Sequence, residues 1–195
     1  GEGKAFAAPD LAQVSLSVVS DNMDLKQAQT SNTNKMNAVL GTLDSQGIAK
    51  ADRQTREYSI TPQYDWTQNG GQRFKGYQVS QTVDVKIRDF SKISAILAGA
   101  VSGGANQVGG LSFTVENKDA VQAEARDKAI GQAKAKAQTL SQQLGIHLGA
   151  IVDFSEGGNV SMPRPMAYAA DMMGKGGGAP APQIETGQNE FDSSV

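Results

Sequence analysis

A run of small residues between Asn117 and Gly145 constrains the fold of this chain more than any other feature. Apolar residues recur there every three or four positions and so share one face of an α-helix: Val121, Ala125, Ala129, Ala133, Ala137, Leu140 and Leu144. Asn117 suits the N-cap, and Gly145 suits the position after the helix, where positive φ favours glycine. Burial of apolar surface stabilises a fold by about 25 cal/mol per Å², and alanine has little surface to bury. Its small size, however, lets a helix backbone lie directly on strands. We therefore predict a helix packed tightly on a sheet.

The first part of the chain predicts a strand followed by a helix. Leu11–Ser20 alternates apolar and polar residues, which is typical of a half-buried strand. Asp24 is placed to cap a helix, with Gln27 completing a capping box, and Gly47 is placed to end it. The apolar residues of this helix lie at helical spacing and should be buried: Leu25, Ala28, Met36, Val39, Leu40 and Leu43.

A β-hairpin is predicted next. Its strands cover Arg53–Trp66 and Tyr77–Arg88, and the intervening Asn69-Gly70-Gly71 accepts positive φ. Tyr58, Ile60 and Tyr64 are available for one face of the first strand. Pro62 lacks an N–H, so this strand is expected at a sheet edge or at a bulge.

The remaining patterns complete the fold class. A short helix over 90–101 ends at Gly103-Gly104, and strands are predicted at 111–115, 150–155 and 189–195. The predicted order is β-α-β-β-α-β-α-β-β, with mostly antiparallel strands and helices on one face of the sheet. This combination is an α+β fold.

Residues 157–188 break every periodic pattern. The segment is rich in glycine, proline and methionine and has few large aliphatic residues, so it cannot bury enough area to offset chain entropy. We predict one domain over 1–195 with a flexible insertion at 157–188.

Composition excludes several partners. The net charge of -2 gives no general attraction to nucleic acid, and Glu57, Asp65 and Asp84 dilute the basic residues near the hairpin aromatics. No apolar run reaches the ~20 residues that span a bilayer. There is no signal-peptide core at the start, and because the chain begins at Gly1 without a methionine, we expect a processed or trimmed product. Neither a nucleic-acid partner nor a transmembrane segment is expected.

Candidate catalytic groups are sparse. The chain has no cysteine, and its one histidine, His147, follows a helix end without carboxylate or imidazole neighbours in the sequence. Gly1-Glu2-Gly3 and Gly103-Gly104 lack the spacing of a phosphate-binding loop, and helix ends and turns explain these glycines. We predict no enzyme activity, no cofactor and no metal site.

Contact residues are better candidates. Tyr64, Trp66 and Phe74 gather near the hairpin tip, where nothing later in the chain clearly covers them. The insertion carries four methionines, Met162, Met166, Met172 and Met173. Their thioethers suit flexible apolar contacts, Cu(I) binding or reversible oxidation, and the sequence leaves these alternatives open.

Several motifs together resemble a known family. They are Gly1-Glu2-Gly3 before Pro9-Asp10, Gly76-Tyr77-Gln78-Val79-Ser80, Ile87-Arg88-Asp89, Ala125-Arg126 and Ala133-Lys134-Ala135-Lys136-Ala137. Their order along the whole chain is similar to that of the SIMPL domain family. Bacterial members include periplasmic immunogenic proteins and a periplasmic protein tied to oxidative stress.

The resemblance implies an exported α+β protein, able in some members to form large homo-oligomers, with no established catalytic residues. It also implies that the last strand continues beyond Val195, so we expect the final strand here to be cut short. The leading hypothesis is a non-enzymatic periplasmic or envelope protein that acts through self-assembly or protein contacts. The alternative is a methionine-based copper-binding or redox-buffering protein.

Overall fold

A computed structural model describes residues 1–66, 70–157 and 186–195. The strands are β1 (Glu2–Ala7), β2 (Leu11–Asn22), β3 (Arg53–Trp66), β4 (Gln72–Ile87), β5 (Gln107–Val108), β6 (Ser112–Thr114) and β7 (Asn189–Ser194). The helices are α1 (Leu25–Ser45), α2 (Ile93–Gly103) and α3 (Lys118–Leu144), with 3-10 turns at Lys50–Asp52 and Phe90–Lys92. The named strand pairs are antiparallel, so the predicted α+β class is confirmed.

The chain divides into two compact units. The central unit is Leu11–Ser112, and the terminal unit combines Gly1–Asp10 with Phe113–Val195. The prediction of one domain over 1–195 remains a prediction. Most of the insertion predicted to be flexible, residues 158–185, lies outside the described residues.

The central unit is a sheet with a helical layer on one face. Its strand order is β3-β4-β2-β5, and α1 packs on β2 and β4 while α2 packs on α1. The buried core is formed by large aliphatic side chains from both layers, among them Leu16, Val18, Met36, Val39, Leu43, Val79 and Val83. Leu25 and Leu40, which the periodicity placed in the core, are only half-buried, because they lie at the margins of the buried face.

The start of α1 follows the sequence only in part. The Asp24 side chain accepts from the Gln27 N–H at 2.9 Å, as predicted for the N-cap. The Asp24 N–H, however, donates to Asn22 Oδ1 at 2.9 Å. The reciprocal half of the predicted capping box is therefore wrong, because Asn22 already satisfies that donor. At the other end, Gly47 has φ of 78°, as expected after a helix.

An asparagine occupies the centre of the α1 core face. Asn32 is fully buried, and its Nδ2 donates to the backbone oxygens of Val18 on β2 at 2.7 Å and Val79 on β4 at 2.9 Å. Its Oδ1 has no hydrogen-bond partner among the described residues. One amide thus ties the helix to two neighbouring strands.

The predicted hairpin is confirmed. β3 lies at the sheet edge, paired on one side with β4, and Pro62 sits within it opposite Tyr77. The register shifts between Thr55 and Glu57, so Arg56 is an extra residue in β3. Both expectations drawn from Pro62, an edge position and an irregular strand, are met.

The terminal unit is built on close backbone approach. β1 pairs with β7, and α3 packs on both strands. A Cβ added to Gly1 or Gly3 would overlap backbone atoms of Ala125, Ala129 or Ala133. The predicted tight contact is confirmed, but the assignment of Gly1 and Gly3 to turns is wrong. They lie at the start of a strand that the sequence did not predict, and their missing side chains admit the helix.

The alanine stripe is buried over only part of its length. Ala125 and Ala129 are fully buried, whereas Leu140 and Leu144 are more than half exposed. The lengths explain the difference, since a 27-residue helix spans about 40 Å and a six-residue strand about 20 Å. The C-terminal part of α3 therefore extends beyond the strands that cover its first half.

The strand predicted over Ala150–Ser155 is wrong. This segment has no regular structure and is exposed, and an isolated β-bridge from Gly157 to Ser194 follows just after it. Its short apolar stretch has no neighbouring strand to pair with among the described residues.

Candidate functional site

The far end of the hairpin extends beyond the rest of the central sheet. β2 ends at Asn22, which pairs with Tyr77, so residues 62–66 and 72–76 continue as a two-stranded ribbon. We call this ribbon the arm. An isolated two-stranded ribbon is marginally stable in water, so its exposed side chains are candidates for contact with another surface.

The aromatic residues predicted as a contact surface lie together on the arm. Tyr64 pairs with Phe74 across the two strands, and their ring centroids are 5.7 Å apart at 68°. Phe74 also meets Tyr77, with centroids 5.2 Å apart at 70°. Both contacts are edge-to-face, a favourable geometry for rings. Trp66 follows on the same face of β3 and is 74% exposed.

The same face continues down β3 toward the sheet. Tyr58 and Ile60 alternate with Tyr64, and Ile60 pairs with the buried Val79, so all of them lie on the side covered elsewhere by α1. α1 reaches this strand through Gln29, whose Nε2 lies 3.5 Å from the Tyr58 hydroxyl. We call this set the inner face: Tyr58, Ile60, Pro62, Tyr64, Trp66, Gln72, Phe74 and Tyr77.

The inner face is comparable in area to the largest apolar patch that a soluble protein exposes. With about 200 Å² per aromatic side chain and roughly half of it exposed, the face leaves about 500 Å² open to solvent. The largest exposed apolar patch of a typical soluble monomer is about 300–600 Å², and such a patch is often functional. Tyr58 and Ile60 enlarge the candidate surface, and their alternation with Tyr64 is the sequence signal that places them there.

Charged residues of the arm lie on the opposite side. Asp65 pairs in register with Arg73, one position away from the inner-face residues on each strand. The Lys75 ammonium lies 3.6 Å from an Asp65 carboxylate oxygen. Cations and aromatic rings are therefore separated, whereas a surface for single-stranded nucleic acid needs them together. The expectation of no nucleic-acid partner stays a prediction, in agreement with this separation.

The outer edge of β3 is less open than its face. Proline offers no N–H to an added strand, and an extra residue twists the edge, which are two devices that proteins use against edge pairing. β3 has both features: Pro62 is the proline, and Arg56 is the extra residue. The arm is therefore better suited to contact through its inner face than through strand addition.

Other parts of the described structure offer little chemistry. A shallow groove of about 400 Å³ lies beside Arg56, Asp84 and Lys86. The Asp84 carboxylate accepts from the Ser15 hydroxyl at 2.5 Å and lies 4.0 Å from the Arg56 guanidinium. His147 is exposed, and within residues 1–66, 70–157 and 186–195 no three acidic or histidine side chains gather as metal ligands do. No described helix has the length and hydropathy to cross a membrane.

The four methionines predicted as contact residues, Met162, Met166, Met172 and Met173, lie outside the described residues. Their role remains a prediction from sequence.

Comparison with known proteins places the chain in a family. Residues 1–195 match the family described as "SIMPL: Protein of unknown function (DUF541)". The chain belongs to the SIMPL family. This confirms the resemblance drawn from the motifs.

Individual SIMPL relatives match all or most of the chain. It is 34% identical over 201 residues to the 26 kDa periplasmic immunogenic protein of Brucella melitensis, covering all of this chain and 80% of that protein. It is 29% identical over 198 residues to the uncharacterized protein YggE of Escherichia coli, covering 78% of that protein. The match to YggE of Edwardsiella ictaluri is 26% over 151 residues, covering 77% of this chain and 63% of that protein.

Proposed function

We propose that this SIMPL protein is exported to the periplasm and acts there by self-association through the arm, without catalysing a reaction. Export is supported by the 34% identity to a relative whose name places it in the periplasm. The absence of cysteine from the chain fits that compartment without requiring it.

The observation that carries the proposal is the convergence of Tyr64, Trp66 and Phe74 on one exposed face. Tyrosine and tryptophan often dominate the binding energy of protein interfaces, because they bury much area with few rotatable bonds. A standard interface buries about 800 Å² per partner, so about 500 Å² of inner face would supply most of one.

Light scattering on the purified protein at micromolar concentrations tests the proposal. The wild type should show a mass above that of the monomer, and Trp66→Ala should lower it. The matched control is Phe6→Ala, because Phe6 is an aromatic residue on β1 that is 49% exposed. Phe6→Ala should leave the mass unchanged. A monomeric wild type at every concentration would refute self-association.

The methionine-rich segment supports a second candidate function. Four methionines between residues 162 and 173 could supply soft thioether ligands to Cu(I), or react reversibly with oxidants and so link the protein to oxidative stress. Titration with Cu(I) under reducing conditions separates this function from the first. Saturable binding that is lost when all four methionines become leucine would support it, and equal binding by both proteins would exclude it.

A further inference from the structure

The charge pattern of the arm indicates which kind of partner fits it. In a two-fold symmetric contact, each residue near the axis meets its own copy, so any charge there faces a like charge. The eight inner-face residues are all uncharged at neutral pH. The charged residues of the arm, Asp65, Arg73 and Lys75, lie on the other side of the ribbon, where Asp65 is opposite Arg73 and forms an ion pair with Lys75.

The β3 edge provides a second argument. Pairing of two β3 edges would also be two-fold, but Pro62 and the extra residue Arg56 interrupt the run of backbone donors that it needs. Contact through the inner face meets no such obstacle. Of the two symmetric arrangements, the structure favours face-to-face packing.

We propose that two copies of the chain associate with the inner face of one hairpin packed on the inner face of the other, around a two-fold axis. This proposal rests on the proposed function and adds the partner surface to it. The two ribbons form a small four-stranded sandwich with its layers about 10 Å apart. Each ribbon thereby gains the second layer that a lone hairpin lacks.

The area involved sets the strength of this contact. About 500 Å² from each copy gives about 1,000 Å² in total, which is near the lower limit for a specific interface. The dimer is therefore a reversible one that dissociates on dilution. An assembly larger than a dimer requires a further contact elsewhere on the chain.

Charge reversal at the centre of the inner face tests the proposal. One variant carries Tyr64→Lys and Phe74→Lys, and the other carries Tyr64→Glu and Phe74→Glu. Since these two residues are paired across the strands, any face-to-face arrangement brings like charges together in either variant. Each variant alone should be monomeric at concentrations where the wild type associates. An equimolar mixture should form a mixed dimer at least tenfold tighter than either variant alone.

The matched control places the same charges on the opposite side of β3. Thr61 is exposed and alternates with Ile60 and Pro62, so Thr61→Lys and Thr61→Glu should each associate like the wild type. Melting curves establish that all variants fold. If the double variants do not fold, the natural absence of cysteine allows another measurement. Gln72→Cys should be linked to itself by a short bismaleimide far more efficiently than Thr61→Cys.

The outcomes separate this inference from the proposed function. A monomeric wild type overturns both. If the wild type associates and the charged variants associate equally well, the arm is not the contact. If each charged variant is monomeric and the mixture is also monomeric, the arm docks on a different surface of the second copy. Self-association then stands, and the two-fold packing is overturned.

Discussion

Two helices of this protein lie on antiparallel strands, and they are attached in opposite ways. α1 fills the space above β2 and β4 with large side chains such as Met36, Val39 and Leu43, all fully buried. α3 brings its backbone onto β1, with alanine on the helix and glycine on the strand. Large side chains set the distance between α1 and its sheet. The absence of large side chains allows α3 to lie close to β1.

This difference determines which substitutions each layer tolerates. A contact made of large side chains is weakened when a side chain is shortened, because a cavity remains. A contact made of alanine and glycine has no side chain to shorten, and it is weakened when one grows. The same chain should therefore respond to size in opposite directions in its two units.

The largest expected loss of stability comes from a substitution that adds a charge and leaves the side-chain size almost unchanged. Asn32→Asp keeps the shape of the side chain but faces a carboxylate toward the Val18 and Val79 oxygens. An uncompensated buried charge costs about 3–5 kcal/mol, so urea unfolding at pH 7 should show a loss of that order.

Asn32→Leu is the control for this substitution. It introduces no charge and removes the unpartnered buried oxygen, but it also removes the donor to the Val18 and Val79 oxygens, so the stability should fall by about 1–3 kcal/mol, less than for Asn32→Asp. Equal losses for the two variants would mean that water reaches this site and that the carboxylate is not buried.

Shortening a side chain under α1 should produce the next largest effect. Leu43 is fully buried, and Leu43→Ala should cost about 2–5 kcal/mol through lost burial and a residual cavity. Chemical denaturation gives the value. A loss below 1 kcal/mol would indicate that the helix relaxes onto the sheet and that volume does not set its position.

Enlarging a side chain under α3 should produce a smaller but clear loss. Ala129 lies against the β1 backbone at Gly1 and Gly3, so Ala129→Leu should cost about 1–3 kcal/mol through overpacking. Lys134 is exposed on the same helix, and Lys134→Ala should stay within about 0.5 kcal/mol. Identical unfolding midpoints for the two variants would contradict the close-approach contact.

The smallest expected effects distinguish the two units by pH. The Ser91 hydroxyl, which donates to Asp89 before α2, lowers the pKa of that carboxyl. Its contribution is present above the ordinary carboxyl pKa and is lost as the pH falls through the lower folded value. In the terminal unit, the hydrogen bond to Glu190 and the charge of Asp192 raise the pKa of Lys4. That contribution is present below the ordinary lysine pKa and is lost as the pH rises through the higher folded value.

Unfolding measured against pH checks these signs. Asp89→Asn should reduce the loss of stability at acid pH, and Lys4→Gln should reduce it at alkaline pH. Because both groups are exposed, each change should be small. Reversal of the two effects would show that the partners are wrongly assigned.

Much of the fold could be predicted because its signals are local. The helix between Asn117 and Gly145 has the predicted caps, and β3 has the predicted bounds of Arg53 and Trp66. Cap residues and alternation act within a few positions of themselves, so a sequence reveals them directly.

The failures concern features that depend on distant partners. β1 contains Gly3, which is unfavourable in a strand, and its pairing partner lies near residue 190. Its own sequence therefore does not predict a strand. Residues 150–155 contain the apolar residues that a short strand needs, yet they are irregular here. Asn32 interrupts an apolar pattern, and only the meeting of two strands beneath it gives its amide two acceptors.

The candidate site was predicted in its aromatic centre but not in its extent. Tyr64, Trp66 and Phe74 were identified from their position near the hairpin tip. The exact register, which sets Asp65 opposite Arg73 and Tyr64 opposite Phe74, was not available from sequence because a bulge near Gly76 shifts it. The separation of charge from aromatic surface follows from that register.

The division of the chain also has a consequence for the time order of folding. The central unit is one continuous stretch, whereas β1 finds its partner only when residues 189–194 arrive, after more than 180 intervening positions. Closing so long a loop carries a larger entropy cost than any contact within the central unit. As the chain emerges from its beginning, the central unit has its whole sequence first and can fold as a unit. β1 is then made before the central unit but pairs only after residues 189–194 have been made.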